Sequence, residues 1–87
     1  MNSNIGTPLD YTQEEYRVYF EVVEFQGKVL SIIENYLGEG NLSSLVKVEY
    51  GYELDLAIQR IPELTKELVD SGIAVYQVLR LAKTKDI

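Results

Sequence analysis

Alternation of apolar and polar residues marks the first element of the chain. Between Glu14 and Phe25, two sets of side chains would point to opposite sides of a strand: Tyr16, Val18, Phe20 and Val22 to one side, and Arg17, Tyr19, Glu21 and Val23 to the other. A period of two in β-branched and aromatic residues is typical of a strand. We predict a strand here, although the apolar density on both sides also leaves a helix as an alternative.

Two later segments have the spacing of amphipathic helices. In KVLSIIENYL, apolar residues recur at intervals of three and four: Val29, Ile32, Ile33, Tyr36 and Leu37. A second helix should open at Arg60-Ile61-Pro62, because proline is favoured in a first helical turn. Its inward stripe is Ile61, Leu64 and Leu68. Gly38 follows the first helix and Gly72 follows the second, so each helix is predicted to end there.

The segment between the helices, LSSLVKVEYGYELDLAI, predicts a hairpin. Apolar residues alternate on both sides of Gly51: Val46, Val48 and Tyr50 before it, and Leu54, Leu56 and Ile58 after it. Because both sets should face one core, the predicted register pairs Val48 with Leu54 and Val46 with Leu56, with residues 50–52 in the loop. The same register places Lys47 opposite Asp55 and Glu49 opposite Glu53.

The last strand is predicted from Ile73 to Leu81, at the sheet edge beside the first strand. The element order is that of the ferredoxin-like split βαββαβ plan, an α+β fold. This plan places two helices on one face of a four-stranded antiparallel sheet, with strand order 4-1-3-2. We expect a single domain over residues 14–82, a flexible arm or linker over residues 1–13 and a charged tail over residues 83–87.

Charge and composition exclude several classes of function. The net charge is −6, and no basic footprint for nucleic acid is present. No apolar run approaches the ~20 residues of a membrane span, and the polar N-terminus lacks the plan of a signal peptide, so direct membrane insertion is not expected. The chain contains no cysteine, which fits a reducing compartment, and we expect a cytoplasmic location.

The chemistry-bearing residues do not form a recognisable catalytic set. The chain has neither histidine nor cysteine, which excludes Ser-His and Cys-His catalysis and histidine-based zinc sites. Glu49 and Glu53 flank a predicted turn, where we expect them to be solvated rather than enclosed in a cleft. We therefore expect no catalytic residue, metal site or cofactor. An enzyme that uses only carboxylates and tyrosines, with or without a metal, is the remaining alternative.

The sheet face away from the helices carries the candidate interaction surface. Four outward residues of the first and last strands are predicted to form an apolar patch ringed by charge: Tyr19, Val23, Tyr76 and Val78. Aromatic centres with polar rims are typical of interfaces, and contiguous exposed apolar patches usually have a partner. Isolated exposed apolar side chains are the alternative. We expect a homodimer or other homo-oligomer, or docking on a partner protein domain.

Two short stretches resemble the small accessory domain that follows the ATPase core in ABC transporter ATP-binding subunits. Gly6-Thr7-Pro8-Leu9-Asp10 is similar to the GTPEEL link that leaves that core, and Ile61 to Leu79 is similar to the closing helix and strand. The resemblance implies a regulatory module of a transporter ATPase. It carries over no ATP-binding residue, because the ATPase motifs are missing here, as is the usual acidic and aromatic ending after Asp86.

The element order is also similar to that of ACT-type and related small-molecule sensor domains, which bind amino acids at glycine-containing loops of a dimer interface. Gly27 and Gly72 lie at comparable turns, although glycine is common in turns. This resemblance implies an amino-acid-like ligand as the alternative function. The leading expectation is a non-enzymatic regulatory or protein-interaction module.

Overall fold

Four strands and two helices follow one another in the predicted order. The computed structural model of the chain describes residues 14–83. The bounds are β1 Glu15–Val22, α1 Lys28–Leu37, β2 Val46–Val48, β3 Gly51–Ala57, α2 Arg60–Asp70 and β4 Val75–Lys83, with a short 3-10 helix at Glu39–Asn41. All strand pairs are antiparallel, in the order β2-β3-β1-β4. The predicted ferredoxin-like α+β arrangement and its strand order are confirmed.

Parts of the sequence-based predictions fall outside the described residues. The predicted arm at residues 1–13, which includes the Gly6–Asp10 stretch, is one of them, and residues 84–87 of the predicted tail are the other. At the C-terminal end of the described part, β4 continues to Lys83. Neither described helix has the length and apolar character needed to cross a membrane.

One face of the sheet packs against both helices and forms the core. Burial alternates along β1, whose inward side chains are at most 7% exposed: Tyr16, Val18, Phe20 and Val22. The other buried core residues include Val29, Ile33 and Leu37 of α1, Tyr52, Leu54 and Leu56 of β3, and Leu64 and Leu68 of α2. Fully burying one large apolar side chain contributes about 1.5–3 kcal/mol, so these stripes hold the helices on the sheet. The predicted inward faces of β1, α1 and α2 are confirmed.

Gly72 ends α2, as predicted. Its φ is +85°, a left-handed conformation that favours glycine. The backbone N–H of Ile73 donates to the carbonyl of Leu68 and that of Gly72 donates to Val69, each at 3.0 Å. This pair of bonds is the Schellman motif, which satisfies carbonyls at a helix end. The chain then enters β4, which lies at the sheet edge beside β1.

The hairpin register differs from the predicted one. The observed partners are Val46 with Glu53, Lys47 with Tyr52, and Val48 with Gly51. The shift is three residues, and an odd shift turns a strand over, so Val46 and Val48 lie on the side away from the helices. Tyr52 explains the difference, because it is only 3% exposed and occupies the core position that the prediction gave to a loop residue. The predicted Lys47–Asp55 and Glu49–Glu53 oppositions are therefore wrong.

The predicted outward position of Val78 is also wrong. Val78 lies opposite the buried Phe20 and packs against the core, whereas Leu79 lies opposite Tyr19 on the other side of the sheet. The cause is an irregularity in the ladder: Glu21 pairs with Gln77 but the next residue, Val22, pairs with Val75. Tyr76 is the extra residue of this bulge, and one extra residue reverses the alternation beyond it.

Candidate functional site

The side of the sheet opposite the helices, called the open face below, carries an apolar row across all four strands. The row consists of Val46, Glu53, Tyr19 and Leu79, which are successive cross-strand partners from β2 to β4. Val46 is 47% and Leu79 is 39% exposed, and Tyr19 between them is half-buried. Three of its four members are apolar, and Glu53 on β3 is the exception.

A charged network includes Glu53 of the row and extends along one side of it. The Nε of Arg17 lies 3.2 Å from Glu53 Oε1, and its Nη1 lies 3.1 Å from Asp55 Oδ1. The same Nη1 donates to the carbonyl of Ser44 at 2.6 Å. Because all three charged side chains are partly exposed, each ion pair contributes only about 0–1 kcal/mol. The network mainly fixes side-chain positions and neutralises one of the two carboxylates.

Tyr19, in the centre of the row, lies in acidic surroundings. Its pKa is raised above the usual value, first by partial loss of solvent and then by the charges of Glu21, Tyr50, Glu49 and Glu53. Its hydroxyl therefore stays neutral at physiological pH. A neutral ring at the centre of a charged rim is the arrangement that interfaces commonly show.

A groove crosses the end of β1, next to the open face. This end groove has a volume of about 390 Å³ and is lined by Glu21, Val22, Val23, Glu24, Lys47, Glu49, Tyr50 and Tyr76. A second depression of about 270 Å³ adjoins it, since Val23 also lines that one, together with Phe25, Lys28, Gly72, Ile73 and Ala74. Four large apolar side chains at this end are 64–66% exposed: Val23, Phe25, Tyr50 and Tyr76.

The four predicted interface residues are divided between these places. Tyr19 lies on the open face, and Val23 and Tyr76 line the end groove together. Val78 faces the helices. Their role at an interface stays a prediction. Leu79, Phe25 and Tyr50 were missed, and for the last two the available signal was an aromatic residue placed in a turn or loop.

Glu24, which lines the end groove, has a structural role, because its carboxylate holds the start of α1. Its Oε2 accepts hydrogen bonds from the backbone N–H groups of Phe25 and Val29, each at 3.0 Å. Its Oε1 accepts one from the N–H of Leu30 at 3.1 Å and one from the Tyr52 hydroxyl at 2.5 Å. Two of these N–H groups belong to the first turn of α1, so the carboxylate caps that helix from outside.

The contact between Glu24 and Tyr52 accompanies opposite changes in their pKa values. Burial alone would raise the pKa of Glu24, but the hydrogen bonds from Tyr52, Val29, Leu30 and Phe25 outweigh it and leave the pKa below its usual value. Burial and then the bond to Glu24 raise the pKa of Tyr52. Glu24 is thus ionised and fully engaged, an arrangement unsuited to general acid–base catalysis.

In the part of the chain that the structure describes, no group of three or more acidic side chains is arranged to hold a metal ion.

Comparison of the sequence and fold with protein-family models, curated proteins and solved structures gave no match. Function must therefore be inferred from the chemistry of the open face and the end groove. The open face has exposed apolar side chains beside charged ones, and the end groove has both apolar and charged walls; such mixtures are typical of binding surfaces.

Proposed function

We propose that this chain is a non-enzymatic protein-interaction or regulatory module whose open face binds a second copy of itself. The observation that carries this proposal is the row across the sheet, in which Val46, Tyr19 and Leu79 are apolar and Glu53 on β3 is the one charged member. No described element covers it. Exposed apolar side chains grouped on one face are commonly buried against a partner.

The size of the open face fits a weak homodimer. The four strands are spaced about 4.8 Å apart and contain 27 residues together, which gives a face of roughly 430 Å² per copy. Two such faces would bury roughly 900 Å², which is the size of weak, transient interfaces. We therefore expect a dimer that dissociates in the micromolar to millimolar range.

The charges beside the row oppose a symmetric contact only weakly. In a two-fold dimer the same patch meets itself, so unpaired like charges would be brought together. Arg17 already pairs with Glu53 and Asp55 within one chain, which lowers this repulsion on one side of the row. Glu21 and Gln77 border the other side, where Glu21 can remain solvated at the rim.

Replacing Tyr19 and Leu79 together by glutamate should abolish self-association. Two added carboxylates per copy would have to be desolvated opposite two others, and like charges in contact are strongly unfavourable. Sedimentation velocity over a concentration series measures the effect. Val69→Glu on α2 is the matched control, because Val69 is also an exposed apolar residue, at 54%, but lies away from the open face. A wild type that stays monomeric at ~1 mM would contradict the proposal and favour a different partner domain.

The host of such a module is proposed to be a transporter ATPase. The basis is the resemblance in element order and in the segment Ile61 to Leu79, which forms most of α2, the Gly72 stop and much of β4. Accessory domains of this kind are attached to an ATPase core. Flanking coding sequence tests the proposal: an ATPase segment immediately upstream of residue 1 supports it, and an unrelated upstream sequence contradicts it.

A second candidate function is a sensor for a small amino-acid-like ligand. The observation that favours it is the end groove of about 390 Å³, which lies at the loops between elements and has both charged and aromatic walls. Ligand sites commonly have volumes of about 300–1,000 Å³.

A thermal-shift screen with amino acids, nucleotides and divalent ions tests the sensor hypothesis. A ligand at 100 times its Kd stabilises the native state by about 2.7 kcal/mol. In a domain of this size the expected increase in Tm is about 11–22 °C. A Tm that depends on protein concentration but on none of these ligands would instead favour plain self-association.

A further inference from the structure

Two exposed tyrosine rings stand on either side of the end groove. Tyr50 belongs to the turn between β2 and β3, and Tyr76 is the bulge residue of β4. The turn is held against β1, because the N–H of Val22 donates to the carbonyl of Tyr50 at 3.0 Å. Tyr50 is 64% and Tyr76 is 66% exposed, so both rings can be reached by a ligand.

Tyr50 and Tyr76 are carried by parts of the sheet on opposite sides of β1, which leaves room for a cation between their side chains. β3 and β4 lie on opposite sides of β1, which separates their backbones by about 10 Å. A group held between two rings needs about 3.5–4 Å on each side, or roughly 7–8 Å between the rings. A guanidinium group or an alkylammonium stem is thin enough to fit between two rings at this spacing. Cations are also attracted to aromatic faces.

The lining of the groove carries a net negative charge, which suits a bound cation. Its lining contains three carboxylates, Glu21, Glu24 and Glu49, and one cation, Lys47. Glu24 is engaged by α1 and Tyr52, and Lys47 lies over the Tyr52 ring, 5.4 Å from its centroid. Among the described residues, no basic side chain forms an ion pair with Glu21 or Glu49. Their two negative charges are therefore available to a bound cation.

We propose that the end groove binds the guanidinium or ammonium side chain of a basic segment in a partner protein, between the two tyrosine rings and beside Glu21 and Glu49. A peptide fits better than a free amine, because the groove is open to solvent and adjoins a second depression walled by Phe25 and Ile73. That depression can take an apolar residue next to the basic one. Glu21 borders both this groove and the row on the open face, but the two proposals are tested with different variants and measurements, so either proposal can fail alone.

Titration of the full chain with short blocked peptides tests this inference, with NMR chemical shifts as the measurement. The probe is acetyl-GRLG-amide, and the matched control peptide carries citrulline, which has the shape of arginine without its charge. We expect shift changes centred on Val23, Tyr50 and Tyr76, and binding about tenfold tighter for the arginine peptide. Added salt should weaken the arginine peptide more than the citrulline peptide.

Variants and a free ligand complete the test. Glu49→Gln and Tyr50→Leu should each weaken arginine-peptide binding several-fold, whereas Glu39→Gln, an exposed carboxylate in the 3-10 helix, should leave it unchanged. Three results would overturn the inference: equal binding of both peptides, no shift change at the groove, or free arginine binding more tightly than the peptide. The last result would favour a small-ligand sensor.

Discussion

Replacing Gly51 by alanine should lower the free energy of unfolding by about 3 kcal/mol or more. A Cβ atom at Gly51 would lie 1.9 Å from the carbonyl oxygen of Phe20 and 3.1 Å from the backbone nitrogen of Val22. Both atoms belong to the backbone of the central strand β1, which cannot move aside as a flexible side chain could. The added methyl group would therefore push β3 away from β1.

Urea unfolding followed by circular dichroism measures this loss. A domain of 87 residues is commonly stable by only about 4–13 kcal/mol, so the variant would lose a large share of its stability. Gly40→Ala is the matched control, because a Cβ there meets no atom within 4 Å, and we expect a change within about 0.5 kcal/mol. A Gly51→Ala variant as stable as the control would show that the two strands are not this close.

Gly51 also explains why the hairpin register could not be predicted from alternation. The pattern of Val46, Val48, Leu54 and Leu56 treats the hairpin as an isolated pair with one inner face. The actual register depends on a third strand, because Gly51 must lie against β1 and Tyr52 must reach Glu24. Contacts between residues distant in the sequence therefore decide between two registers that local alternation cannot distinguish.

Elements with a single strong period were predictable, and interruptions of that period were not. The inward faces of β1, α1 and α2 follow from local spacing, as does the end of α2 at Gly72. The bulge at Tyr76 adds one residue to β4 and reverses the positions of Val78 and Leu79. Gln77, which would be misplaced against the helices in an unbroken strand, lies opposite Glu21 on the open face.

The candidate surfaces were partly predictable for the same reason. Tyr19 reached the open face because β1 keeps its alternation, and Val23 and Tyr76 are exposed at its end. Val23 and Tyr76 line one groove with Tyr50 because the turn and the bulge lie on either side of β1. That arrangement depends on the topology of the sheet, so local sequence does not predict it.

Replacing Glu24 by alanine should lower the free energy of unfolding by about 3 kcal/mol. The change removes the acceptor for three backbone N–H groups and for the Tyr52 hydroxyl. Gly27, the N-cap of α1, offers no side-chain cap, and the first turn contains no acidic residue, so nothing replaces the lost carboxylate. The hydroxyl of Tyr52 would also lose its partner in a side chain that is only 3% exposed.

A double-mutant cycle with Tyr52→Phe separates these contributions. Tyr52→Phe alone should cost about 1 kcal/mol, because it removes one hydrogen bond and keeps the buried ring. The combination Glu24→Ala with Tyr52→Phe should cost less than the sum of the single changes, since the second change removes a hydroxyl that is already unpaired. Additive losses would show that the two side chains do not interact.

Acidification gives an independent measure of the same carboxylate. Because the pKa of Glu24 is lower in the folded chain than its ordinary value of 4.5, the ionised form stabilises the fold. That contribution is present above the ordinary pKa and is lost as the pH falls through the lowered one. The stability difference between wild type and Glu24→Gln, measured by urea unfolding from pH 7 to pH 3, should therefore shrink at the acidic end. A difference that stays constant over this range would mean that the helix cap does not depend on the charge of Glu24.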